Sequence, residues 1–134
     1  MHIQNLRRVD NKNIYDQSFT FILRNDNRSS FFYDCEIKWM DHVKWLEQDG
    51  TRPDFDFFII EWYGERAGTI AVEHRKDCEF LQNLCVASWA RGHGLARWAI
   101  QELMLPNRFI IAQVKPENVS VINMYEELGF WRVK

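Results

Sequence analysis

The sequence predicts an α/β domain of the mixed kind, a central twisted sheet of about six strands with helices on both faces. Three observations predict it. Strand-like runs follow one another closely in the middle of the chain, strand and helix patterns alternate in its last third, and across 134 residues no repeat or Ser-, Pro- or Gly-rich stretch marks a boundary. A single domain spanning residues 1–134 follows.

The elements read in order. Ile3–Val9 is a short first strand, and Ile14, Phe19, Ile22 and Leu23 then recur at helical spacing until the polar run Arg24–Ser30 stops them. A second helix covers Trp39–Gln48, with Trp39, Val43 and Leu46 on one stripe and Gly50 just past its end. Asp54–Tyr63 and Gly68–His74 form a hairpin about a turn at Gly64-Glu65-Arg66. Cys78–Val86 is the next strand, and after a loop containing Gly92 and Gly94 a helix runs from Leu95 to about Leu105. Arg108–Val114 is β-rich, Pro116-Glu117-Asn118 opens a helix to Leu128 with Gly129 as its cap, and Phe130–Lys134 is expected to be a terminal strand.

Composition excludes several classes. Seventeen Lys and Arg against nineteen Asp and Glu give a net charge of −2, with no electrostatic footprint for nucleic acid. The apolar run Phe57–Ile60 is far short of the ~20 residues of a membrane span, and the first residues carry no apolar stretch of signal-peptide length, so the expected compartment is the cytosol. Three cysteines without a Cys-x-x-Cys pair argue against a disulfide framework and against a zinc site.

Arg91-Gly92-His93-Gly94-Leu95-Ala96 lies between a strand and a helix, where successive backbone N–H groups point toward an anion. Glycines at 92 and 94 let the anion approach the amides, Ala96 lets the helix crowd the strand, and Arg91 adds a permanent charge with a fork suited to phosphate. A Walker loop would need Gly-Lys-Ser/Thr, and a dinucleotide fingerprint would need glycine where Arg97 stands. Leu84-Cys85-Val86 followed by this loop resembles the acyl-CoA-binding signature of the GNAT acetyltransferase superfamily. Asn118 through Phe130, with Tyr125 and Gly129-Phe130 in register, is similar to that family's Asn-x-x-Ala-x-x-x-Tyr-x-x-x-Gly-Phe helix, departing from it at Val121. A weaker likeness, carried by Leu23-Arg24-Asn25, Ile37–His42, Trp45 and Leu46, is to the branch that acetylates sugar-nucleotide amines or protein N-termini.

The resemblance implies a GNAT-like fold and an acetyl-CoA-dependent N-acetyltransferase without a metal. Gly92, His93, Gly94, Leu95 and Ala96, helped by Arg91, would hold the pyrophosphate, and Leu84, Cys85 and Val86 would offer strand backbone to the pantetheine arm as if to an added strand. The strands Cys78–Val86 and Arg108–Val114 would splay to make a slot for the thioester, with Asn118 beside the pantetheine and Tyr125 near the sulfur.

Amide formation needs an uncharged amine, a stabilised oxyanion and a proton for the thiolate. Tyr125, protonated at neutral pH, is the expected general acid. Glu79 and His74 are both candidates for the base. Strict alternation puts Glu79, Leu81, Asn83 and Cys85 on one face of their strand and Phe80, Gln82, Leu84 and Val86 on the other, unless a bulge shifts the register. Cys85 is read as a buried apolar residue and not as a nucleophile. For the acceptor, an amino-sugar nucleotide is favoured over a protein N-terminus, with Arg24 and Arg28 set against its phosphates, Asn25 beside them, and Trp62 and Trp89 flanking the slot. The competing class is a non-catalytic acyl-CoA-binding module. Phe109-Ile110-Ile111-Ala112 is expected to present an open apolar edge, covered most simply by a second copy in a homodimer.

Overall fold

A computed structural model describes residues 3–31 and 35–133. Its sheet has five strands in sequential order: β1 (Gln4–Arg8), β2 (Phe55–Trp62), β3 (Glu65–His74), β4 (Cys78–Val86) and β5 (Phe109–Ala112). The first four pair antiparallel and β5 joins β4 in parallel, which makes the sheet mixed. The sixth strand expected at Phe130–Lys134 is not formed over residues 130–133, and Lys134 lies outside the described residues. Those residues pair with no strand, and the outer edge of β5 takes no strand among the described residues. Phe109 is 80% and Trp131 91% exposed there.

Helices α1 (Ile14–Asp26) and α2 (Trp39–Gln48) cover one face; α3 (Leu95–Leu103) and α4 (Val119–Glu127) cover the other. Alternation along β3 separates the two cores. Ala71 packs with Leu46, Phe55 and Phe57 under α2, whereas its neighbours Ile70 and Val72 pack with Leu95, Ala99, Ile100 and Tyr125. No helix among the described residues is long and apolar enough to cross a membrane.

Local chemistry sets the boundaries. The Asn13 side chain accepts from the Tyr15 and Asp16 amides, so α1 starts one residue later. The β2–β3 turn is the two-residue pair Tyr63-Gly64, with φ of 51° and 78°, and not Gly64-Glu65-Arg66 as the sequence pattern indicated. Two consecutive positive φ angles give the twist that matches a hairpin, and glycine takes the second at no steric cost. At Gly68 a Cβ would stand 2.5 Å from the Cys85 carbonyl oxygen, so only glycine lets β3 and β4 approach there.

Two ionic clusters clamp the sheet. Asp16, fully buried on α1, takes both Arg7 nitrogens at 2.7 and 3.0 Å, Arg66 at 2.8 Å and the Asp10 amide at 2.8 Å. Burial alone would raise its pKa, but these four donors hold it at about 2. At the opposite end His74 sits between Glu79, through Nδ1, and Asp56, 2.6 Å from Nε2, while Arg8 grips Asp56 and Arg108 grips Glu79. One imidazole thereby links β1, β2, β3, β4 and the start of β5.

The His74 pKa is raised, by Asp56 first, against burial and then with Glu79. A raised folded value stabilises fully below the unfolded value of 6.5, and that contribution disappears as pH climbs through the folded pKa. The melting temperature is therefore expected to fall more steeply as pH rises above 6.5 in the native protein than in His74→Asn. Parallel pH profiles would refute the clasp.

Candidate active site

Strand β4 changes character halfway along. Thr69 stands opposite Cys85 and Ala71 opposite Gln82, so Asn83 and Leu84 together face the single residue Ile70. This is a β-bulge, with Asn83 at φ 52° and its carbonyl capped by the Thr69 hydroxyl at 2.8 Å. The register slips by one. Leu81, Leu84 and Val86 accordingly share the α3/α4 core while Cys85 turns to Leu23 under α1, which corrects the strict alternation that grouped Leu81 with Cys85.

The parallel pairing of β4 with β5 ends at Leu81–Ala112. Beyond that point Gln82–Val86 pairs with no strand on the β5 side among the described residues, and a cavity of about 1180 Å³ opens between it and Gln113 and Val114. Leu84, Cys85, Val86, Arg91, Gly92, Gly94, Leu95, Ala96, Asn118 and Tyr125 line this one cavity. The sequence-derived donor residues are thus brought together, with one exception. His93 does not line it; its ring packs outward on Trp62 at 4.3 Å.

Gly92 and Gly94 have φ of 81° and 74°, and a Cβ at either would meet nothing within 4 Å. Their glycine character answers to backbone conformation and to open space above the amides, not to protein crowding. Gly94 caps α3, so the first orphan N–H groups of that helix face the cavity rim. Arg91 donates to the Val86 carbonyl at 3.1 Å and to the Asn27 side chain. Asn118 precedes α4 without capping it through its side chain. Val121 adds a branched wall where the resembling pattern has Ala or Ser.

Tyr125 is 7% exposed, in edge contact with Phe130 at 4.9 Å, and burial pushes its pKa up to about 12. Its hydroxyl has no hydrogen-bond partner among the described residues.

Glu79 and His74 line neither this cavity nor the one beside it. Glu79 is 4% exposed and bonded to His74 and Arg108 in the sheet clasp. Asn25 is likewise occupied, exchanging two hydrogen bonds of 2.9 and 2.8 Å with the Ile37 backbone. Trp62 stacks on Trp89 and borders neither cavity. Arg24 lies over the Phe31 ring at 4.1 Å and lines both.

The second cavity, about 420 Å³, shares Arg24, Phe31, Gln82, Asn83 and Cys85 with the first and extends under α2 past Thr69 to Phe57, Trp45 and His42, with Glu36, Ile37 and Asp41 also in its wall. His42 is buried, bonded to Thr20 at 2.8 Å, and desolvation lowers its pKa to about 4, so it is a neutral imidazole at pH 7. Sequence patterning did not mark Gln82, Gln113 or Asp41 as wall residues. The one available signal was Asn83, an Asn inside a β-run, where bulges occur.

A model of the "Acetyltransferase (GNAT) family" matches residues 20–130. The chain belongs to this family. Its GNAT fold is similar to that of spermidine N-acetyltransferase from Vibrio cholerae in complex with CoA and spermine, at 21% identity, 98% coverage of this chain and 83% of that one, with a TM-score of 0.83. An acetyltransferase from Thermus thermophilus is similar at 20% identity, covering 100% of this chain and 92% of that one, with a TM-score of 0.80. An N-acetyltransferase from Staphylococcus aureus is similar at 17% identity, covering 98% and 85%, with a TM-score of 0.81. No curated protein matches the chain.

Proposed function

We propose that the chain moves an acetyl group from acetyl-CoA to the primary amine of a small molecule. One observation carries this reading: the β5-side edge of Gln82–Val86, the glycine loop and the Tyr125 phenol border a single cavity that shares a wall of Arg24, Phe31, Gln82, Asn83 and Cys85 with a second, differently lined one. The residues fit the donor. Amides from Gly92 to Ala96 donate to the pyrophosphate oxygens, and the β5-side edge of β4 exchanges hydrogen bonds with the pantetheine amides as with an added strand. Acetyl-CoA supplies the activated acyl carbon.

The amine nitrogen forms the new C–N bond, the C–S bond breaks, one proton leaves the nitrogen and one reaches the sulfur. A phenol held at about 12 stays protonated, yet giving its proton to a thiolate of pKa ~8.5 runs uphill. Tyr125 therefore acts by donating a hydrogen bond to the sulfur as charge develops, with transfer completed as the nitrogen releases its own proton. Glu79 and His74 are committed to the clasp, so that release goes to water and not to a side-chain base, and water returns a proton to the Tyr125 oxygen.

The acceptor cavity favours a cationic amine with an apolar body. Phe31, Ile37, Trp45 and Phe57 supply apolar wall, and Glu36 and Asp41 line the same cavity as Arg24. Arg28, assigned to acceptor phosphates in the sequence reading, borders neither cavity and pairs instead with Glu36 at 4.0 Å. An amino-sugar nucleotide would set its phosphates beside two carboxylates, so a small di- or polyamine is the better reading. The named ligand of the similar Vibrio cholerae enzyme supports it.

Three outcomes are expected. Gly94→Trp abolishes CoA binding in calorimetry while circular dichroism keeps the native fold; undiminished affinity would sink the loop assignment. Tyr125→Phe lowers kcat by roughly 10²-fold with CoA affinity held, on the usual scale of proton-transfer groups; a near-native rate would reduce Tyr125 to packing. Asp41→Asn raises the KM for a diamine by roughly tenfold, the size of one charged contact, but leaves that of a monoamine of equal length unchanged. Equal effects on both amines would remove the acidic wall from recognition.

A further inference from the structure

The loop that receives the donor's phosphates contains two glycines, and its side chains tie it down on opposite sides. Arg91 reaches inward, to the last carbonyl of β4 and to Asn27 at the end of α1. His93, the residue between the glycines, turns outward and lays its ring 4.3 Å from that of Trp62. Trp62 in turn stacks on Trp89, with centroids 6.0 Å apart and planes 24° from parallel. Trp62 is the last residue of β2, and Trp89 lies in the single helical turn Ser88–Ala90 that leads into the loop. Three rings thus join the sheet, the lead-in turn and the middle of the loop.

None of the three lines either cavity, so none of their rings is set to touch donor or acceptor, although the His93 backbone amide belongs to the loop. Trp89 is 54% exposed and His93 is exposed too, which makes the stack a minor part of the core. Its location answers a physical need. Glycine has more backbone freedom than any other residue type, so holding Gly92 and Gly94 each in one conformation costs more entropy than holding other residues would. Left unanchored, the loop would meet that cost each time an anion bound. Anchored in advance, it presents converged amides.

We propose that the His93–Trp62–Trp89 stack is a positioning device that holds Gly92-His93-Gly94 in its anion-receiving form before the donor arrives, so that these rings set donor affinity without contacting the donor. The proposal rests on the donor reading above. Arg91 fixes the loop's entry and the ring stack fixes its centre.

The test uses the full chain with CoA as probe, in His93→Ala, Trp62→Ala and Trp62→Phe. His93→Ala and Trp62→Ala are expected to weaken CoA binding and raise the KM for acetyl-CoA by roughly tenfold, with kcat and the acceptor KM within about twofold. Trp62→Phe keeps a ring under His93 and is expected to recover most of the affinity. Amide exchange at Gly92–Leu95 in the ligand-free protein should quicken in His93→Ala. If Trp62→Ala does not fold, the exposed His93→Ala decides. Unchanged CoA affinity together with unchanged exchange in His93→Ala overturns the proposal, as does a fall of kcat and melting temperature accompanied by a rise in both KM values. Should the native protein bind no CoA while exchange still quickens in His93→Ala, the donor reading falls and the anchor stands.

Discussion

One extra residue in β4 governs the site. Because Asn83 and Leu84 together oppose Ile70, the strand reverses which side chains it gives to each face just where its pairing with β5 ends. Below the bulge β4 is an interior strand bonded on both edges. Above it, one edge is free, Leu84 and Val86 seal the α3/α4 core, and Cys85 is delivered to the wall that both cavities share. Without the slip those apolar side chains would face the wrong way. The Thr69 hydroxyl answers the bulged carbonyl, so the irregularity leaves no buried acceptor unmet at that position.

Charge is used at the margins of the sheet and not in its centre. Asp16 fastens α1 to β1 and β3, and the His74 cluster fastens the opposite end, so the divergence between β4 and β5 is framed by rigid strands. This also explains why the titratable groups that looked most reactive in the sequence are structural. A buried carboxylate such as Glu79 persists only with partners, and those partners also remove it from the reaction.

Local grammar made much of this legible. Strand–glycine loop–helix spacing located Arg91–Ala96, and the Asn118-to-Gly129 helix located Tyr125, because both depend on contiguous residues with fixed φ or fixed period. What escaped was whatever depended on side chains meeting across the sheet. His74 finds Asp56 eighteen positions away, Asn25 is claimed by Ile37, and Trp62 is drawn to His93. The expected sixth strand failed for the same reason: Trp131-Arg132-Val133 has β-forming residues, but strand formation is decided by a partner edge, and Arg132 instead bonds Glu126 of α4.

The C-terminal end of α1 is shared property. Asn27 holds the arginine of the phosphate loop, the Ser29 carbonyl accepts from Lys115 beyond β5, and Arg24, one turn earlier, borders both cavities. On the proposed reading, a donor seated against Arg91 would steady the same helix end that walls the second cavity, and each ligand would lower the ordering cost met by the other.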